Sequence, residues 1–440
     1  MKKTGTTSFS HIPQRKNKVK FFKKTESKTA AALKRAAPLL LAAAFLLAAV
    51  SCSGRQNNGS EQVVIEPDPT PSPEPTPEPT PEPTEAPTPS PEPTPEPTPT
   101  PEPIEATMMF VGDLMCLSSQ QRYAKAESGG DVEYDFRYSF EYVRPIISRA
   151  DCAIGNLETT LSSNWPYATE LRNTSDGMPN CNGPAQYLLG VKYAGFDALV
   201  MANNHCCDAG AQGIIDTIGA VENYGFQHTG VFKSESENRY VILDVKGIKV
   251  ALLSYTEFYN GKQGCVSDRK YMINTYSEEV CRRDVAAAKA DGAELIIAYN
   301  HWGAEHTHKP TDKVRRHAQE MADAGVDIVC GSHSHSMQPV VWLTAKDGRK
   351  VLCMYSMGNF VSSMSPDTAK DTVIVELKIR RESDGSIGII DEQYHTCRVF
   401  VEINGKHWIV VPTDVQTIPS IRSQLEAAEK RIMNILMSER

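Results

Sequence analysis

Six short apolar runs recur along this chain, and each ends in a cluster of hydrogen-bonding or metal-competent side chains. Thr107–Val111 leads to Gly112-Asp113, Cys152–Ile154 to Gly155-Asn156-Leu157-Glu158, and Ala198–Ala202 to Asn203-Asn204-His205. Leu295–Tyr299 leads to Asn300-His301-Trp302-Gly303, Ile328–Cys330 to Gly331-Ser332-His333-Ser334-His335, and Val351–Tyr355 to Ser356-Met357-Gly358-Asn359-Phe360. Continuous apolar runs of this length read as strands buried on both faces. Amphipathic segments of helical period lie between them, around Phe140–Arg149, Ala185–Ala194, Gly213–Tyr224, Glu278–Ala290 and Lys313–Ala324. Strands alternating with helices predict an α/β architecture. Apolar runs flanking Lys246-Gly247 and Lys346–Arg349 add hairpins, so the sheets should be mixed. Ligands of α/β sheets bind beyond the carboxyl ends of the strands, which would gather all six clusters at one edge.

Much of the rest of the chain cannot join that core. Eighteen of the 29 prolines lie between Pro67 and Pro103, in a Pro-Glu-Pro-Thr repeat with ten acids and no base from Glu66 to Glu105. Prolines fix φ and remove donors, and nothing apolar is left to bury, so this stretch reads as an extended, self-repelling spacer. At about 3.1 Å per residue its 40 residues reach on the order of 120 Å. Before it, residues 1–55 carry 12 Lys/Arg against one acid, Glu26, and Ala36–Ser51 form an apolar run of 16 residues. A basic region, a short apolar run and small residues before a cleavage point describe a secretory signal. Ala49-Val50-Ser51-Cys52 resembles a lipobox, with Cys52 as the lipidated residue; an uncleaved signal anchor is the alternative. Either reading puts the globule on the extracytoplasmic face of a bacterial membrane. The expected partition is therefore 1–52 signal, 53–105 disordered linker and 106–440 folded domain.

The folded part holds 34 Lys/Arg and 42 Asp/Glu, so the chain's net charge of −8 resides there. No basic face is available for phosphates, which argues against nucleic acid. The cysteines after Cys52 show no CxxC and no regular spacing. Cys152, Cys330 and Cys353 sit in apolar runs and behave as small hydrophobes, and adjacent Cys206 and Cys207 are poorly placed for an ordinary bridge. No GxSxG, HExxH or GxxxxGK[ST] occurs.

The strand ends offer Asp113, Asn156, Glu158, Asn204, His205, His301, His333 and His335. Imidazole and carboxylate oxygen suit Mn, Fe or Zn better than Ca or Mg. His333 and His335, two apart on an extended segment, can approach one or two ions from one side. Each histidine alone reads as a structural residue, and Asp113, Asn156 and Asn204 alone as turn or cap residues; convergence carries the argument.

Gly112-Asp113-Leu114-Met115, Gly155-Asn156-Leu157-Glu158, Ala202-Asn203-Asn204-His205 with Asp208, Gly210 and Gly213, His301-Trp302-Gly303-Ala304-Glu305, Gly331–His335 with Gln338-Pro339, and Tyr355–Phe360 together resemble the bacterial capsule-synthesis protein CapA family. The resemblance spans Thr107 to Val361. It implies a role in making, exporting or anchoring an anionic surface polymer such as poly-γ-glutamate, with capsule synthase subunits as partners. It also implies a calcineurin-like metallophosphoesterase fold, a sandwich of two mixed β-sheets flanked by helices. In that wider class Asp113, Asn204, His301, His333 and His335 would be metal ligands. His205, with Asn204, would assist catalysis, and Asn156, Trp302 and Asn359 would line the site. Two departures stand out: Met115 replaces a metal-binding histidine, and Gly155-Asn156 replaces Gly-Asp. Glu158 could take over as a ligand, leaving a lopsided two-ion site, a one-ion site, or a polar cleft that holds polymer without hydrolysing it. A metal-dependent hydrolase or transferase, a non-enzymatic polymer-binding or assembly factor, and an extracellular phosphoesterase are the functions these residues allow.

Overall fold

The computed structural model describes residues 101–175 and 177–440. The basic segment, the apolar run with Cys52 and residues 53–100 of the expected linker lie outside the described residues. In chain order the strands are β1 Ile104–Leu114, β2 Cys152–Leu157, β3 Ala198–Val200, β4 Gln227–Thr229, β5 Tyr240–Val245, β6 Ile248–Thr256 and β7 Leu295–His301. There follow β8 Ile328–Ser332, β9 Val340–Thr344, β10 Lys350–Met354, β11 Asn359–Val361, β12 Asp371–Arg381, β13 Ile387–Ile403 and β14 Lys406–Pro412. The helices are α1 Ser118–Ala126, α2 Arg144–Ile147, α3 Tyr187–Ala194, α4 Gly210–Asn223, α5 Glu278–Ala290, α6 Asp312–Ala324 and α7 Arg422–Leu436.

The strands form two mixed sheets. The first runs β14-β13-β12-β1-β2-β3-β4 with β11 also on β1, and the second runs β5-β6-β7-β8-β10-β9. Three of the six apolar runs are central in the first sheet (β1, β2, β3) and three in the second (β7, β8, β10), each set parallel within itself. Side-chain alternation explains why these runs are apolar throughout. Met108 and Phe110 of β1 face a core shared with Leu295, Ile297 and Tyr299 of β7 and with Leu352 and Met354 of β10. Met109 and Val111 face the opposite way, toward Tyr187, Leu188 and Val191 of α3 and Ile214 and Ile218 of α4. On the second sheet Ile296, Ala298, Val329 and Cys353 turn outward against Val285 of α5 and Val314 and Met321 of α6. Period-two alternation with both faces covered yields the sandwich of two sheets between helical layers.

The hairpins at Lys246-Gly247 and Lys346–Arg349 form as expected. The expected helix over Phe140–Arg149 does not. Pro145 lacks an N–H and stands at the first turn, so the segment is a 3₁₀ turn at Arg137–Phe140 followed by the single turn of α2. After Asp371 the chain joins the first sheet, where β12 pairs antiparallel with β1. That pairing begins at Ile104 opposite Arg381, two residues ahead of the expected domain start. Ile387–Ile403 form a single 17-residue strand, β13.

Candidate metal centre at the converging strand ends

The carboxyl ends of the two parallel sets face a common point. Asp113 ends β1, Asn156 lies in β2 with Glu158 just beyond it, and Asn204 and His205 follow β3. From the other sheet come His301, the last residue of β7, then His333 and His335 after β8, and Asn359 at the start of β11. All of them are at least 95% buried.

Close backbone approach makes this convergence feasible. A Cβ on Gly112 would lie 1.8 Å from the Gly358 carbonyl oxygen, and one on Gly331 would lie 2.0 Å from that of Tyr355. Only glycine fits there. His333 and His335 hold φ of 84° and 52°, a left-handed conformation that side chains disfavour. Strain of about 1–3 kcal/mol per residue of this kind gathers at functional sites.

His301 Nε2 lies 2.9 Å from Asn204 Oδ1, 3.0 Å from His333 Nδ1 and 3.5 Å from Glu158 Oε1. Donor atoms about 2.1 Å from one ion, in octahedral or tetrahedral array, sit roughly 3.0–3.4 Å apart. These spacings from His301 Nε2 suit donors around one transition ion, and Glu158, His301 and His333 all lie within 4.8 Å of one another. A second set, Asp113, Glu158 and His335, is wider: His335 Nδ1 is 3.7 Å from Asp113 Oδ2 and 4.0 Å from Glu158 Oε2. That nitrogen also bonds Asn359 Oδ1 at 2.8 Å. Glu158 belongs to both sets.

The electrostatics agree with a cation here. Neither carboxylate oxygen of Glu158 accepts a hydrogen bond from an N–H or hydroxyl, and the Asp113 carboxyl is close enough to share its proton. Burial, followed by the neighbouring Asp113 charge, pushes its carboxyl well above the ordinary range. Burial likewise raises Asp113, against the pull of His335 and of hydrogen bonds from Asn156 (2.8 Å) and the His333 N–H (3.2 Å). Burial lowers all three histidines, His301 far and His333 to about 3, so they stay neutral as ligands must be. Asn156 Nδ2 also faces His301 Nδ1 at 3.2 Å, and Ser332 Oγ lies 3.0 Å from the same nitrogen. These contacts leave Nε2 of His301 aimed at the donor set.

His205 stands beside this set with a different partner. Its Nδ1 donates to Asp208 Oδ2 at 2.8 Å, while Lys262 Nζ and the Cys181 N–H donate to the same carboxylate at 2.5 and 2.7 Å. Burial would raise Asp208, but His205 and Lys262 outweigh it and hold the carboxyl below its ordinary range. Cys181, His205 and Asp208 lie close enough to hold an ion. The Lys262 ammonium already balances that charge, and burial keeps the Cys181 thiol protonated. This corner is built for a proton instead.

The sequence-predicted residues Asp113, Asn156, Glu158, Asn204, His205, His301, His333, His335 and Asn359 thus come together. Trp302 does not join them: it turns into the outer core of the second sheet, where its indole N–H bonds the Tyr355 carbonyl at 3.0 Å. Asn359 orients His335. Cys206 is buried in the core of the first sheet. Lys262, Asn260 and Phe258 escaped the sequence reading, since a loop without repeat or motif gives no signal.

The family model described as "Bacterial capsule synthesis protein PGA_cap" matches residues 107–364. The chain belongs to that family. It is 25% identical over 288 residues to the "PGA biosynthesis protein CapA" of Bacillus subtilis, covering 65% of this chain and 71% of that one. It is 28% identical over 291 residues to the "Capsule biosynthesis protein CapA" of Bacillus anthracis, covering 65% and 66%. A "Probable polyglutamine synthesis accessory protein" of Mycobacterium tuberculosis is 27% identical over 206 residues, and the match spans about half of its length. Among solved structures, the calcineurin-like phosphoesterase YfkN of Bacillus subtilis overlaps 75% of this chain and 99% of that chain at a TM-score of 0.39 and 14% identity. The membership covers every strand end that contributes to the donor set.

Proposed function

We propose that this capsule-synthesis family member works outside the cytoplasm, tethered to the membrane at Cys52, on an anionic polymer of the poly-γ-glutamate kind. In this reading it binds one divalent transition ion, Mn, Fe or Zn, and acts as a hydrolase or transferase. The observation that carries the reading is Glu158: fully buried, accepting no hydrogen bond from an N–H or hydroxyl, 3.5 Å from His301 Nε2 and grouped within 4.8 Å with His301 and His333. Asn204, Glu158, His301 and His333 would hold the ion. When bound, such an ion supplies Lewis acidity toward an acyl or phosphoryl oxygen.

The remaining steps belong to the chain's own side chains. Asp208 fixes His205 with its Nδ1 proton inward, so Nε2 is the nitrogen free to take or give a proton at the substrate. Lys262 keeps Asp208 ionised for that task. Asn156 and Asn359 hold Asp113 and His335 in place, and burial keeps bulk water from the cluster. Among the described residues no helix is long and apolar enough to cross a membrane, so tethering would rest on the segment outside them.

A second reading is favoured by one observation. Buried Met115, where the wider class has a histidine ligand, withholds a donor from the wider set, which fits a polymer-holding assembly factor. Metal analysis of the purified full chain, beside a His301→Ala, His333→Ala double variant, separates the two. Near one ion per chain, lost in the variant, supports the metal-dependent site and justifies assays on γ-glutamyl and phosphoester bonds. A folded wild type that stays metal-free after incubation with Mn, Fe or Zn refutes it in favour of polymer holding.

A further inference from the structure

The loop that leaves β6 touches the centre with every second residue. The Phe258 ring stacks on the His333 imidazole, with centroids 4.4 Å apart and planes 29° from parallel. Asn260 Oδ1 accepts from Asn204 Nδ2 at 3.2 Å. Lys262 Nζ reaches Asp208 Oδ1 at 2.5 Å, with its side chain 11% exposed. A tight turn, closed by the Lys262 N–H on the Tyr259 carbonyl at 2.8 Å, folds this loop back so that all three side chains reach the centre. The loop's root is fixed: Thr256 Oγ1 and the Phe258 backbone exchange bonds at 3.1 Å, the Glu257 N–H donates to the His301 carbonyl, and Lys313 and His317 hold the Glu257 carboxylate at 2.7 and 2.5 Å.

We infer that Phe258, Asn260 and Lys262 are positioning residues, a strap that sets the orientation of His333, Asn204 and Asp208 and, through Asp208, of His205. The decisive contact is that of Asn260. An amide can offer either its oxygen or its NH2 to a given point, and only the oxygen is a ligand. Asn204 offers Oδ1 toward His301 because its Nδ2 has a carbonyl oxygen to donate to, that of Asn260. Remove that acceptor and the Asn204 amide loses the contact that distinguishes its two ends. The backbone supports the assignment, since Asn260 holds φ of 49°, a conformation Asn, Asp and Gly tolerate best.

This inference rests on the one-ion reading for its affinity test and carries a second measurement that does not. In the full chain, Asn260→Gly keeps the positive φ and deletes the acceptor, whereas Asn260→Asp keeps both. Mn²⁺ titration is expected to show at least about a tenfold weaker affinity for N260G, the scale of a lost ligand-orienting partner, and recovery in N260D. In the metal-free chain, the Asn204 side-chain NH2 resonance should lose its hydrogen-bonded shift in N260G and keep it in N260D. Wild-type Mn²⁺ affinity in N260G, with an unchanged Asn204 resonance, overturns the strap. A wild type that binds no Mn²⁺ refutes the metal reading, and the resonance alone then decides the strap.

Discussion

Replacing Glu158 with Gln should make the metal-free protein more stable and the metal-loaded protein less so. The carboxylate is fully buried, its oxygens accept no hydrogen bond from an N–H or hydroxyl, and Asp113 adds like charge. A carboxyl whose proton the folded chain retains costs about 1.4 kcal/mol of stability for each pH unit between its unfolded and folded values, a cost that Gln does not carry. Two kcal/mol corresponds to a melting temperature higher by about 3 °C in a domain of this size. The sign with pH follows from the raised carboxyl. The unfolded chain releases this proton near pH 4.5 while the folded chain retains it, so wild-type stability falls as pH rises from there toward the folded value. The advantage of E158Q is therefore absent at pH 4 and widens as pH rises toward the folded value. Manganese reverses the order, because an ion at a hundred times its Kd adds about 2.7 kcal/mol to the chain that binds it. Thermal melts of both proteins at pH 4 and 8, with chelator and with Mn²⁺, test all of this. If E158Q melts below wild type at pH 8 in chelator, Glu158 is a satisfied structural carboxylate and the argument for a cation falls.

Three further outcomes follow from the same geometry. Ala at Gly331 would place its Cβ 2.0 Å from the Tyr355 carbonyl oxygen and 2.6 Å from the Trp302 indole nitrogen, so denaturant unfolding should show a loss of about 3 kcal/mol; a change under about 0.5 would refute that packing. His333 is held neutral down to about pH 3 against an ordinary 6.5, so the unfolded chain binds that proton first and stability is lost as pH falls below 6.5, by about 2 kcal/mol at pH 5. Unfolding of the chelated protein at pH 7 and 5, beside His333→Gln, should show the variant losing less by that amount. Calorimetric titration should find Mn²⁺ binding abolished by His301→Ala yet within about threefold of wild type in His335→Ala, because the tight donor set omits His335; equal losses would assign the ion to the wider set.

How much of this was legible in the sequence depends on the range of the interaction involved. The buried strands were readable because both faces of β1, β7 and β10 are covered, which forces unbroken apolar runs. Their polar ends were readable as ligands because a strand end is where a parallel sheet leaves its side chains free. Two sheets could be expected, but which strand joins which could not, since β12 pairs with β1 across more than 250 residues and no local pattern encodes a partner that distant. The helix expected at Phe140–Arg149 failed on a residue in plain view, Pro145, whose missing donor outweighs a good amphipathic pattern. Trp302 was expected at the site with the His301-Trp302-Gly303 motif, yet it lies one residue past β7 and turns into the outer core. The strap was invisible because its partners, Asn204, Asp208 and His333, meet it only in space.

The departures from the wider class become intelligible together once charge is counted. Asn156 and Glu158 lie two residues apart on one strand path, so the change from Gly-Asp to Gly-Asn at the first is accompanied by a carboxylate at the second, on the same side. Asn156 still does what a neutral amide can, donating to Asp113 and facing His301. The cluster then holds two carboxylates, Asp113 and Glu158, and three histidines kept neutral by burial. Among the described residues no Lys or Arg pairs with either carboxylate, and the nearby Lys262 is spent on Asp208. Ionising both without a counter-charge would cost several kcal/mol of desolvation, which is why burial raises both carboxyls. One divalent ion cancels the two negative charges, whereas a second would leave an excess of two positive charges in the same dry space. On the one-ion reading proposed above, Asn156 in place of a third carboxylate leaves the cluster with the charge that a single divalent ion would balance.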